Sequence, residues 1–209
     1  MHIELEHVAP MDIEARSFEI ISSELATPLD GAVEPIVKRV IHATADFDYA
    51  HNLCFSPDVV PGTLRVLKEG ATIVTDTNMA LAGINKRALE RNGCSAKCFM
   101  ADADVAEAAA VNGTTRAVAS MEKASRLGGP LIFAIGNAPT ALIRLYELIT
   151  DGKLMPALVI GAPVGFVNVV QSKELIMETD VPYIVARGRK GGSNVAAAIC
   201  NALLYMLGR

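Results

Sequence analysis

From residue 70 onward, short apolar runs alternate with stretches of helical periodicity, and this alternation most narrows the folds open to the chain. Five runs, at 72–76, 96–100, 131–136, 157–161 and 182–187, have the length and composition of buried strands. Between them, apolar spacing predicts helices over 78–91, 113–127, 139–150 and 173–178, with a last one over 194–207. A strand that returns to its sheet through a helix must pair in parallel, so the units demand a parallel sheet covered on its faces. The expected class is α/β: a mainly parallel sheet with flanking helices in a Rossmann-like three-layer architecture.

The opening third reads differently. Phe18, Ile21 and Leu25 fall at helical spacing within 13–25, and 33–41 repeats the pattern after Pro28-Leu29-Asp30-Gly31. Phe55-Ser56-Pro57-Asp58 breaks the chain ahead of a third helix through Leu67. A helical N-terminal segment therefore precedes the sheet. Nothing along the chain reads as a linker, and a single domain over 1–209 is expected.

Composition removes several classes of function. Runs such as 131–135 fall far short of the ~20 apolar residues a membrane span needs. The start Met1-His2-Ile3-Glu4-Leu5-Glu6 is acidic where a signal peptide is basic, so a cytoplasmic location is expected, without a membrane. A formal net charge of −4 speaks against nucleic acid, and any anionic ligand must be met by local charge. Cys54, Cys94, Cys98 and Cys200 form no disulfide framework. Cys94 and Cys98 supply half a zinc site at most, with no second pair to complete it, so reduced thiols and no metal are expected.

In an open parallel sheet, ligands collect beyond the carboxyl ends of the strands. That rule selects Asp76-Thr77-Asn78, Gly136-Asn137-Ala138-Pro139-Thr140, Gly161-Ala162-Pro163-Val164-Gly165 and the stretch 187–193. Gly136 and Asn137 can offer backbone N–H groups to a carboxylate at the start of the next helix, and Asn137 its side-chain amide. Glycine is equally what any tight strand-to-helix turn requires. Arg187-Gly188-Arg189-Lys190 is either a solvated basic turn or a local anion site.

Missing motifs narrow the chemistry. No GxGxxG follows a strand, and the glycines at 161 and 165 lead to no Lys-Ser or Lys-Thr, which disfavours dinucleotides and ATP. There is no GxSxG elbow and no HExxH helix. Glycine-ended strands alone still suit a nucleotide or S-adenosylmethionine enzyme, on fold analogy only.

His42 is the strongest candidate for proton chemistry. Ile36, Val37, Val40 and Ile41 place it at the C-terminal end of an amphipathic helix, with Arg39 one turn earlier. A helix C-terminus favours the protonated imidazole. Position alone leaves two readings: a proton donor, or a histidine satisfied by a local hydrogen bond.

Five segments, in order, carry a resemblance over nearly the whole chain. They are Glu14-Ala15-Arg16-Ser17-Phe18, the run from Arg39 to Asp46, the run from Ala134 to Leu142, Gly161-Ala162-Pro163-Val164-Gly165-Phe166-Val167, and the run from Arg187 to Ser193. Together they resemble the precorrin-8X methylmutase family, whose members include the cobalt-precorrin-8 methylmutases. The resemblance implies an isomerase of corrin biosynthesis that moves a methyl group from ring position 11 to ring position 12 of a tetrapyrrole. No redox cofactor is consumed. It implies a homodimer, with the large anionic substrate near the subunit interface, and hydrogenobyrinate or cobyrinate as the corrin product. His42 matches the family's catalytic histidine, and Ser17 and Arg39 match substrate contacts.

A substrate edged with carboxylates also accounts for clustering Arg187, Arg189 and Lys190 in an acidic protein. Arg16 and Arg116 are further candidates, each with a surface salt bridge as the plainer role. A non-catalytic corrinoid carrier using the same pocket is the competing reading.

Overall fold

The computed structural model describes residue 3 and residues 5–208. His2, part of the N-terminal run read above, lies outside the described residues. Helices α1 (Ile13–Glu24) and α2 (Glu34–Thr44) are followed by the single turn α3 (Tyr49–Asn52), strand β1 (Leu53–Phe55) and helix α4 (Val59–Lys68). Strand β2 (Thr72–Thr75) then leads through α5 (Asn78–Gly83) and α6 (Lys86–Arg91) to β3 (Ser95–Lys97). Two further helices, α7 (Ala103–Val111) and α8 (Arg116–Ala124), precede β4 (Leu131–Ile135). The chain continues through α9 (Pro139–Thr150), β5 (Leu158–Gly161), α10 (Val169–Met177), β6 (Tyr183–Ala186) and α11 (Ser193–Tyr205).

The strands form one sheet in the order β1-β6-β5-β4-β2-β3. All neighbours pair in parallel except β1, which runs antiparallel to β6 with Cys54 opposite Val185. The expected three layers are present. Ile132 and Ala134 of β4 face a core built with α1, α2, α4 and α11, whereas Leu131, Phe133 and Ile135 face a second core built with α8, α9 and α10. Such two-sided burial is why this strand reads as a continuous apolar run rather than an alternation. Each fully buried large side chain among these contributes roughly 1.5–3 kcal/mol relative to exposure.

Several predicted boundaries are corrected. The helix expected over 78–91 is two helices: Ile84 is extended, and the Asn85 side chain caps α6 by accepting from Ala88 N–H at 3.0 Å. Asn85 is claimed from α11, since its N–H donates to Asn201 Oδ1 at 2.8 Å and its amide to the Tyr205 hydroxyl at 2.9 Å. Helix α7 was not anticipated, because an alanine-rich segment shows no apolar stripe. Gly113 at φ +61° closes α7, and Thr115 caps α8 by accepting from Val118 N–H at 3.2 Å, so α8 starts later than residue 113. Strand β3 is shorter than 96–100 because the chain turns at Phe99, which packs beneath the sheet. Strand β1 is a sixth strand, three residues long and defined only by its distant partner β6.

The strand order reverses at β2, which has β3 on one side and β4 on the other although β3 comes between them in sequence. In doubly wound folds a ligand occupies the crevice this opens. Here the chain fills it. Gly136 packs so closely that a Cβ would lie 2.6 Å from Ser193 Cα and 2.9 Å from Gly192 O, and Thr77 and Ser193 share a hydroxyl hydrogen bond of 2.7 Å.

Candidate active site

The His42 helix forms for local reasons. Pro35 sits in its first turn, where a missing N–H costs nothing, and Ala45 at φ 53° closes it by donating its N–H to Ile41 O at 2.7 Å. Ile36, Val37, Val40 and Ile41 are buried, which leaves His42 in the last turn facing outward. Its ring meets Phe18 of α1 edge-on at 5.6 Å. Neither ring nitrogen hydrogen-bonds to another group among the described residues, so the structure does not support a histidine satisfied locally. Ser17, Ile20, Ile21, Ile41, His42 and Phe47 line a cavity of about 220 Å³ between α1 and α2. The Ser17 hydroxyl donates to Ile13 O at 2.8 Å.

Arg39 lies one turn before His42 on the side of α2 that meets α1. Its guanidinium stands 4.9 Å from the Phe18 ring centroid and 5.1 Å from that of Tyr205, and it donates to the Glu14 carboxylate. Stacking fixes the plane of a guanidinium, leaving its edge to meet a carboxylate. In this structure that carboxylate is the chain's own.

The basic loop reaches the same region through the turn after α2. Lys190 Nζ donates to Asp46 at 2.7 Å and Asp48 at 2.6 Å, which raises its pKa and draws that of Asp46 below the usual carboxylate value. The 46–48 turn therefore joins the His42 helix to the 187–190 loop. Arg187 turns away, holding Glu174 of α10 at 2.8 and 3.0 Å. Arg189 meets no carboxylate among the described residues. Its guanidinium lies 5.5 Å from the centroid of Phe166, which with Val167 forms an exposed apolar ledge, 82% and 79% accessible, after β5.

Gly136 and Asn137 take a different part from the one expected. Their N–H groups and that of Ala138 donate at 2.8, 2.8 and 2.6 Å to the carboxylate of Asp76, which is 1% exposed. The anion at this helix start is thus Asp76 itself, and only the exposed Asn137 side chain remains outward. Burial raises the Asp76 pKa although the three N–H groups pull it down. Arg16 forms the surface pairs with Glu6 at 2.6 Å and Glu19 at 3.2 Å. Arg116 is exposed at the start of α8, in the layer opposite α1 and α2, so the fold does not bring it to His42 within this chain.

Of the two buried charged residues among those described, Asp76 was singled out in the sequence only as part of a strand-end turn, and Lys173 of α10 escaped the sequence reading. Lys173 has a signal in the sequence, because Val169, Ser172, Lys173 and Ile176 form one buried stripe at helical spacing. Among the described residues no group of three or more His, Cys, Asp or Glu side chains could hold a metal ion, and no helix is long and apolar enough to cross a membrane.

Comparison with known proteins converges on one family. A family model described as precorrin-8X methylmutase matches residues 12–206. The cobalt-precorrin-8 methylmutase of Priestia megaterium is 45% identical over 197 residues, covering 94% of this chain and 88% of that protein. The cobalt-precorrin-8 methylmutase of Salmonella typhimurium is also 45% identical, over 208 residues covering 95% and 96%. The crystal structure of precorrin-8X methylmutase from Thermus thermophilus superposes with a TM-score of 0.85 at 39% identity, covering 94% of this chain and 97% of that one.

Proposed function

The chain belongs to the precorrin-8X methylmutase family of cobalamin-biosynthetic isomerases, and from that premise we propose that it moves a methyl group from ring position 11 to ring position 12 of precorrin-8X or its cobalt complex, with His42 as the acid. The carbon–methyl bond at position 11 breaks as the bond at position 12 forms, so no electrons enter or leave. His42 gives a proton to a ring nitrogen, or shares one with it, and so draws electron density through the conjugated system as the methyl migrates. The observation that carries this reading is an exposed imidazole at a helix C-terminus, without a hydrogen bond to a protein group among the described residues, over a cavity shared with Ser17.

Binding is assigned to local charge. Arg39, held between Phe18 and Tyr205, takes a peripheral carboxylate in place of Glu14, while Arg189 and Lys190 meet others across the 46–48 turn. Gly136 and Asn137 serve through the fixed turn they make with Asp76. The cavity of about 220 Å³ lies below the range of about 300–1,000 Å³ usual for small-molecule sites, which supports a homodimer whose second copy completes the enclosure. Four cysteines without a disulfide suit a reducing cytoplasm, where a single domain of this kind would work without a membrane or nucleic acid.

The test is regiochemical. Substrate labelled at the migrating methyl, supplied with and without cobalt, should give a product whose label sits at ring position 12 by NMR. Label retained at position 11 with both substrates contradicts the reading.

A further inference from the structure

Lys173 occupies a place where lysine is expensive. It lies on the buried stripe of α10, is 0% exposed, and has no carboxylate at ion-pair distance among the described residues. An ammonium in such a site is tolerated only when its protons are taken up. Nζ donates to Gly188 O at 2.8 Å and to Lys190 O at 2.8 Å. The carbonyl between them, of Arg189, accepts from Gly165 N–H at 3.2 Å. Three successive carbonyls of the basic loop are therefore tied down, two of them to one buried cation. Burial lowers the Lys173 pKa to about 8.

This arrangement has a consequence on the loop's outer side. Every described peptide bond is trans, so the C=O and N–H of each unit point in opposite directions. With the carbonyls of Gly188 and Lys190 aimed at Lys173, the N–H groups of Arg189 and Gly191 are directed away from it. Neither N–H meets a protein acceptor among the described residues. We propose that Lys173 is a positioning residue: by gathering the carbonyls of the 187–190 loop inward, it holds the Arg189 and Gly191 N–H groups and the Arg189 side chain outward as one surface for a substrate carboxylate. Backbone N–H groups of nearby residues turned to one side of a loop form a recognised kind of anion-binding concavity. A residue needed only to fill the core would serve equally well as methionine, which has similar length and no charge to bury. The proposal rests on the reading of the chain as acting on a carboxylate-edged tetrapyrrole.

Lys173→Met, in the full chain with and without Arg189→Ala, tests it. The single Met variant is expected to raise KM about ten-fold and to keep kcat within about three-fold, because it disturbs binding rather than the migrating methyl. The double variant is expected to be no worse than the worse single variant, since a loosened loop has already misplaced Arg189. Lys173→Gln, which keeps amide donors near the two carbonyls, should recover part of the lost KM. An unchanged KM in Lys173→Met, or a KM effect that multiplies fully with that of Arg189→Ala, overturns the proposal. Should the Met variant fail to fold, the Gln variant carries the same comparison: a KM effect smaller than ten-fold and non-multiplicative with Arg189→Ala supports the proposal, and an unchanged KM overturns it. A wild-type protein that converts neither substrate removes the functional reading itself, an outcome separate from either result.

Discussion

Replacing His42 with alanine is expected to lower the rate of methyl migration by about 10²–10⁴-fold, the usual worth of general acid catalysis, in a protein that still folds and still binds product. The two halves of this expectation have different origins. His42 is exposed in the last turn of α2, and its ring meets that of Phe18 edge-on at 5.6 Å. Alanine is the better helix former, so the loss of that contact costs under about 1 kcal/mol of stability. The chemical loss has no such compensation, because no other histidine among the described residues lines the cavity. Single-variant kinetics at saturating substrate, beside a product titration and a thermal melt, separate the two. Turnover near the wild-type rate in a folded variant would sink the assigned role.

Asp76→Ala is expected to act in the opposite way, on the fold first. One carboxylate joins the end of β2 to the start of α9 by accepting three N–H groups at 2.6–2.8 Å while only 1% exposed. Its removal strands the N–H groups of Gly136, Asn137 and Ala138 at the point where the sheet reverses direction. Breaking a buried charged network of this kind typically costs about 3–5 kcal/mol, a large part of a domain's stability. The denaturation midpoint should fall by a matching amount at an unchanged slope. A midpoint within experimental error of the wild type would mean that water replaces the carboxylate, and that the crevice is not closed by Asp76.

The layered α/β architecture was legible because it rests on local regularities. Buried parallel strands such as 131–135 are apolar throughout, and helices such as α2 and α9 show their stripes in sequence. What escaped depends on partners far along the chain. β1 is a strand only because β6 lies beside it, and the break at Ile84 and Asn85 exists because Asn201 and Tyr205 reach across from α11. The site divides in the same manner. His42 at a helix end follows from spacing, whereas the approach of Lys190 to Asp46 and Asp48 spans more than 140 positions. The turn at Gly136 and Asn137 was legible as a strand-to-helix junction, but its N–H groups, expected to be open to a ligand, are taken by Asp76. No local pattern shows that Asp76, 60 residues earlier, supplies the anion.

Single-turnover spectroscopy tests the central claim most directly. Excess purified protein mixed with precorrin-8X or its cobalt complex, with no added cofactor, should convert the bound substrate to the corrin chromophore in one exponential phase. Tight binding with the substrate spectrum unchanged would contradict the account and leave a carrier in place of an isomerase.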